Sequence, residues 1–184
     1  MLVIPNAPAQ LRLPIEQHWN GTRCPDPRRR GELSLALTAG VLEISASFGR
    51  QVPARLPSAP RGSRVANLWE YDVVECFLVG ARGRYLEVEL GAAGHFLVLE
   101  FDAPRRRVNE HAALAPRLLF REDAERWHAS LHLPLALVPA GLVALNAFAI
   151  VGGSFLAHHP VPGATPDFHQ PHAFPRAALA CERG

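Results

Sequence analysis

Two stretches of this sequence gather residue types that could do chemistry. In Leu68-Trp-Glu-Tyr-Asp-Val-Val-Glu-Cys-Phe-Leu78, Trp69 and Tyr71 are interleaved with Glu70 and Asp72 ahead of an apolar run that contains Glu75. After a polar turn at Gly80-Ala-Arg-Gly83, Tyr85, Glu87 and Glu89 alternate with Leu86, Val88 and Leu90. Alternate residues of a strand share a face, so Tyr85, Glu87 and Glu89 point one way and their apolar neighbours point into a core. Rings and carboxylates on one hairpin are the materials of a sugar-binding or metal-binding face. The C–H-rich side of a pyranose packs on an indole. The plainer expectation for Glu87 and Glu89 is a solvated sheet face. Glu75 differs, because a carboxylate among Val73, Phe77 and Val79 is costly to bury unpaired, on the order of several kcal/mol. Whether Glu75 shares a face with Glu87 depends on the register of the loop, since a slip of one residue reverses every side chain.

The second stretch is His158-His159-Pro-Val-Pro-Gly-Ala-Thr-Pro-Asp167-Phe-His169-Gln-Pro-His172. Its prolines make it stiff and extended, and Asp167 and His169 at i, i+2 project to the same side. A site of His, Asp and Glu is chemically suited to a metal, although the spacing matches no zinc signature. The bland alternative is that the histidines satisfy backbone groups in loops.

The elements that must position these residues are strands. Leu11 to Trp19 alternates loosely and ends at the turn dipeptide Asn20-Gly21. Leu33, Leu35 and Leu37, then Leu42, Ile44 and Ala46, alternate with polar or small residues around Ala39-Gly40, which describes a β-hairpin. Val73 to Val79 and Arg84 to Leu90 form another hairpin. His95 to Phe101 is apolar on both faces and reads as a central strand. Leu118 to Arg121 and Trp127 to Leu133 turn around Glu122 to Glu125, with Trp127 in the core. Pro134 to Pro139 suits one helical turn, and Val143 to Val151 is a near-continuous apolar strand ending at Gly152-Gly153. Gln51 to Arg64 and Pro104 to Pro116 read as long surface loops, and the tail from Phe155 reads as loop. This makes about nine or ten short strands with turn signals between them and little helix, an all-β antiparallel sandwich in a single domain over 1–184.

Composition bounds the function. The chain has 184 residues, 48% hydrophobic and 20% charged, with a formal net charge of +2, which is ordinary for a globular domain able to bury its own core. All 19 basic residues are arginine. The triplets Arg28 to Arg30 and Arg105 to Arg107 have no aromatic interleaving, so a nucleic-acid groove is not expected. No apolar window reaches the length of a membrane span. Cys24, Cys76 and Cys181 are odd in number and widely spaced, which fits a reducing compartment. With no signal-peptide pattern in Met1 to Pro14, a cytoplasmic protein is expected. There is no GxSxG elbow, P-loop or GxGxxG after a strand.

Five segments carry a resemblance: His18-Trp-Asn-Gly21, Leu68 to Glu75, Tyr85-Leu-Glu-Val-Glu-Leu90, Gly94-His-Phe-Leu-Val-Leu99 and the Pro162 to His169 run. They resemble an uncharacterised family of small single-domain proteins from bacteria and animals, over nearly the whole chain. That family is similar to family 9 carbohydrate-binding modules and to DOMON-like sandwiches, which share an acid-rich strand, a Tyr-x-Glu strand, a Trp followed seven residues later by Pro (Trp127 to Pro134) and a Pro-Asp-Phe-His tail. The resemblance implies a β-sandwich that clamps a sugar between aromatic rings, with a structural calcium in some relatives. Carried over by position, it marks Trp69, Glu75, Glu87, Asp167 and His169. The chain departs from the family pattern before Pro160, where Phe155-Leu-Ala-His-His159 stands in place of an acidic and aromatic stretch.

Three functions follow. The first is a non-catalytic binding domain for a sugar or similar polyol, using Trp69, Tyr71, Glu75, Glu87, Glu89, His158, Asp167 and His169, with no cofactor required. The second is an enzyme in which Glu75 or Glu87 works with His169 as acid and base or as metal ligands. The third is a structural or interaction domain in which Asp167 and His169 only fasten the tail. They are separated by whether Trp69, Glu87 and His169 line one open concavity.

Overall fold

The computed structural model describes residues 1–180, so Cys181 lies outside the described residues. The strands in chain order are β1 (Leu2–Ile4), β2 (Leu11–Ile15), β3 (Gln17–His18), β4 (Gly31–Thr38), β5 (Val41–Gly49), β6 (Val73–Gly80) and β7 (Tyr85–Gly91). They continue as β8 (Phe96–Ala103), β9 (Arg106–Asn109), β10 (Arg117–Glu122), β11 (Arg126–Pro134), β12 (Leu142–Val151), β13 (Ser154–Ala157) and β14 (Ala177–Leu179). One sheet has the order β10-β11-β5-β4-β2 and the other β3-β13-β12-β6-β7-β8-β9, and every pairing within them is antiparallel. The architecture is the expected β-sandwich. Among the described residues, helix is limited to the 3₁₀ turns Pro27–Arg29, Leu68–Glu70, Leu135–Leu137 and Pro171–Ala173. None is long and apolar enough to cross a membrane.

The inter-sheet core follows from the period-2 alternation. Leu33, Leu35, Leu42, Ile44 and Phe48 meet Trp127 and Leu131 from one sheet, and Val74, Cys76, Leu78, Leu86, Val88 and Leu145 from the other. Each large aliphatic side chain buried there contributes about 1.5–3 kcal/mol. Trp127 is 2% exposed and stacks on Phe48 at 5.8 Å, as expected of a core tryptophan.

The seven-stranded sheet is apolar on both faces, so it requires a second cover. Val73, Phe77, Tyr85, Leu99, Phe101, Phe148 and Ile150 form a second cluster on its outer face, roofed by Leu68 and by Val161, Phe168 and Phe174 of the tail. Phe168 stacks on Phe148 at 4.2 Å, and the buried Asn146 holds the main chain of His159 through both ends of its amide, at 2.9 and 3.1 Å. The tail is therefore a third layer over the sheet.

Four sequence expectations require correction. The segment Pro104 to Pro116 is not all loop, because Arg106–Asn109 adds β9 to the sheet edge. The tail is not loop throughout, since β13 pairs with β12 and β14 pairs with β1. The β1–β14 pair is parallel, unlike the rest. Leu11 to Trp19 is not one strand: it passes from one sheet to the other at Glu16. Each missed strand has two to five residues, too few alternations to announce a period.

Candidate ligand-binding site

The register of the β6–β7 hairpin decides the site. Gly83, at φ 79°, closes a turn that sets Glu75 opposite Glu89, Phe77 opposite Glu87 and Val79 opposite Tyr85. All three glutamates therefore share the outer face. That face is not solvated, contrary to the plain expectation, because the tail and the Leu68–Glu70 turn cover it. Glu75, Glu87 and Glu89 are 2%, 3% and 0% exposed.

Burial without a counter-charge drives these acids toward the neutral form. Desolvation raises Glu75 from its ordinary value of 4.5 to about 8. Glu87 is raised well above its ordinary value by burial and then by the nearby Glu75, and Glu89 by burial and then by both neighbours. Glu87 Oε2 and both carboxyl oxygens of Glu89 have no hydrogen-bond partner. A protonated carboxyl both donates and accepts, so the face offers both functions to a ligand.

Above this face opens a cavity of about 390 Å³. Glu75, Glu87, Leu99, Phe101 and Ile150 come from the sheet, Arg105 and Arg107 from the β8–β9 hairpin, Trp69 from one side and Phe155 with Pro166 to His169 from the other. Trp69 is placed by the 3₁₀ turn that the buried Asp72 anchors at its base. The Asp72 carboxylate accepts from the Arg55 and Gly152 amides at 3.1 and 3.0 Å.

The tail residues are held by a short chain of bonds. Asp167 Oδ1 accepts from the His169 amide at 3.0 Å and from Arg105 Nη2 at 2.8 Å. The Tyr85 hydroxyl accepts from the Arg105 amide at 3.1 Å and is hydrogen-bonded to His169 Nδ1 at 2.8 Å. His169 Nε2 lies 3.9 Å from Glu87 Oε2, beyond direct hydrogen-bond length. Burial, then the charge of Arg105, lowers His169 to about 4, so the ring is neutral near pH 7.

Trp69, Glu75, Glu87, Asp167 and His169 thus meet in one cavity, and three other expected residues do not. Tyr71 packs half-buried against the second cluster, away from the cavity lining. Glu89 lies behind Glu75 in the neighbouring strand and does not reach the cavity. His158 faces another surface, with Nδ1 against the Pro14 carbonyl at 3.0 Å, because Asn146 pins His159 and the proline run turns back only after it. Sequence reasoning missed Arg105, Arg107, Phe101, Phe155 and the anchors Asn146 and Asp72. Only the Pro104-Arg105 dipeptide between two strands could have signalled a hairpin there. Among the described residues no group of three or more His, Cys, Asp or Glu is arranged to hold a metal ion, so the calcium that the resemblance implies has no such cage.

No family model matches the chain. It is 33% identical to the human UPF0462 protein C4orf33 over 170 residues, covering 84% of this chain and 81% of that protein. It is 34% identical to the Rattus norvegicus homologue over 140 residues, with 70% and 68% covered, and 30% identical to that of Danio rerio over 141 residues, with 71% and 70% covered. In structure it is similar to a crystal structure from Bacteroides uniformis described as a "putative carbohydrate-binding protein", with a TM-score of 0.70, 17% identity and 98% of both chains covered. At that identity the likeness concerns the sandwich fold alone. The sequence matches, each at least 30% identical and each spanning two thirds or more of both chains, decide the relationship: this chain belongs to the UPF0462 family.

Proposed function

We propose that this protein binds a sugar or similar polyol, without transforming it, in the cavity on the outer face of the seven-stranded sheet. The observation that carries the reading is the convergence of Trp69, Glu87 and His169 on one open concavity. Its volume lies within the range of about 300–1,000 Å³ usual for small-molecule sites. Trp69, Phe101 and Phe155 supply apolar surface for a pyranose ring. Neutral glutamic acids, the His169 ring and the carboxyl group of Asp167 supply the mixed donors and acceptors that hydroxyls require. The Bacteroides uniformis protein, described in carbohydrate-binding terms, points the same way. A cytoplasmic location belongs to the same proposal and is supported by the free, buried thiols of Cys24 and Cys76.

Calorimetric titration with a panel of monosaccharides and disaccharides tests it. At least one sugar is expected to bind, and Trp69→Ala to weaken it about tenfold, the loss of roughly 1–1.5 kcal/mol of stacking, with a nearly unchanged melting temperature. A silent panel, with Trp69→Ala indistinguishable from wild type, would remove the proposal. A second reading takes Asp167 and His169 purely as fasteners of the tail, drawing on the Arg105–Asp167 and Tyr85–His169 bonds. It predicts the silent panel together with a loss of stability in Asp167→Ala.

A further inference from the structure

The acids of the cavity floor pose a problem that a neutral sugar only partly answers. Glu75 and Glu87 line the cavity, and Glu89 stands directly opposite Glu75 on the adjacent strand. Cross-strand neighbours of this kind have Cβ atoms about 4.5–5.5 Å apart, and like charges so placed repel. Glu87 is 3% exposed and its Oε2 has no partner, nor has either oxygen of Glu89. Among the described residues, the arginines that line the cavity are each paired with a carboxylate. Arg105 is paired with Asp167 at 2.8 Å, Arg107 with Glu110 at 3.1 Å, and His169 is engaged by Tyr85 at 2.8 Å. Farther along, His95 is bonded to the Ala59 carbonyl at 3.0 Å. Glu87 Oε2 without a hydrogen-bond partner, in a cavity whose lining arginines are already paired, fits a ligand that brings donors and positive charge. The rings of Trp69, Phe101 and Phe155 around the same cavity favour that charge as well.

Resting on the sugar-binding reading of this cavity, we infer that its preferred ligands are amino sugars, with the primary ammonium group seated against Glu75 and Glu87. The three ammonium hydrogens supply a donor to Glu87 Oε2, which has none in the free protein. The positive charge stabilises an ionised carboxylate on a floor that otherwise holds its protons, so binding expels a proton to solvent. The raised values of Glu75 and Glu87 agree with this direction. Glu89 stands behind Glu75 and does not touch the ligand.

Matched pairs test the inference by calorimetry near pH 7: glucose with glucosamine, galactose with galactosamine, and N-acetylglucosamine and glucuronate as neutral and anionic controls. The amino sugar of at least one pair is expected to bind about tenfold or more tighter than its parent and its N-acetyl form. Titrations in buffers of different ionisation enthalpy should show protons released on binding, and affinity should rise between about pH 5.5 and pH 7 as the acids ionise more readily. Glu87→Gln, close in shape and charge to the protonated acid, is expected to bring the amino-to-parent ratio toward one, with folding checked by thermal denaturation. If neutral sugars bind as tightly as amino sugars, or glucuronate binds tightest, the inference falls while sugar binding stands. If no sugar of any charge binds, the sugar reading falls and this inference with it.

Discussion

Tyr85 shows how one side chain sets the chemistry of its neighbours. Its ring lies flat on Phe101 at 4.7 Å, and its hydroxyl bridges the Arg105 amide and His169 Nδ1. The bond to Nδ1 couples the tautomer of His169 to the orientation of the Tyr85 hydroxyl. The bridge also holds Arg105 in a left-handed conformation, φ 59°, that a non-glycine residue adopts only at some cost. Burial raises the Tyr85 hydroxyl to about 12, so it remains a donor throughout the working pH range. Tyr85→Phe removes the partner of two part-buried groups and should cost about 0.5–1.5 kcal/mol in chemical denaturation. It should also shift the His169 tautomer, read from the ring nitrogens by NMR. An unchanged tautomer would show that the hydroxyl does not set it. At this scale the sequence was informative about faces and silent about covers. The alternation of Tyr85, Glu87 and Glu89 is visible in six letters, but their burial depends on Phe168 and His169, more than 70 positions away. Tyr71 and His158 carry the right chemistry and lie outside the cavity, because the local turns that aim them leave no mark in composition.

The elements divide by length in the same way. The hairpins β4–β5, β6–β7 and β10–β11 were readable from alternation and turn residues, since each strand offers at least six residues of period. The short strands β9, β13 and β14 were not, having three or four residues each. The tail held the third layer, and its prolines disguised it as loop. What seats it is apolar contact, with Phe168 on Phe148, Phe174 against Phe77 at 5.8 Å and the Val161 amide bonded to the Trp19 carbonyl at 2.8 Å. The exposed Arg105–Asp167 pair adds at most about 1 kcal/mol. Phe168→Ala is therefore expected to destabilise the protein by about 3 kcal/mol and to speed hydrogen exchange at the Val161 and Gln170 amides. Arg105→Ala should leave both measurements nearly unchanged. The reverse order would mean that charge, not packing, seats the tail.

Across the whole molecule, three buried acids on one face leave a signature in the pH dependence of folding. In the unfolded chain these carboxyls ionise near 4.5, whereas folded Glu75 keeps its proton to about 8 and Glu87 and Glu89 are raised in the same sense. The native state thus binds more protons, and stability falls as pH rises through that window. His169, lowered to about 4, acts oppositely, since its contribution is complete above 6.5 and is lost as pH falls toward 4. The clear interval is about pH 7.5 to 8, a full unit above the ordinary value of 6.5 from which His169 is lowered. There, stability should fall by about 1.4 kcal/mol per pH unit for each extra proton the native state retains. Glu89→Gln should flatten that slope and stabilise the protein at pH 8, as measured by urea denaturation; a flat or rising wild-type profile would contradict the burial of ionisable acids on this face. The most direct measurement of the central claim is a residue-resolved NMR titration with the sugars that bind. Shifts are predicted at Trp69, Phe101 and the Asp167 to His169 segment, saturating together, with the five-stranded sheet unmoved. No shifts with any sugar, or shifts confined to the opposite sheet, would contradict it.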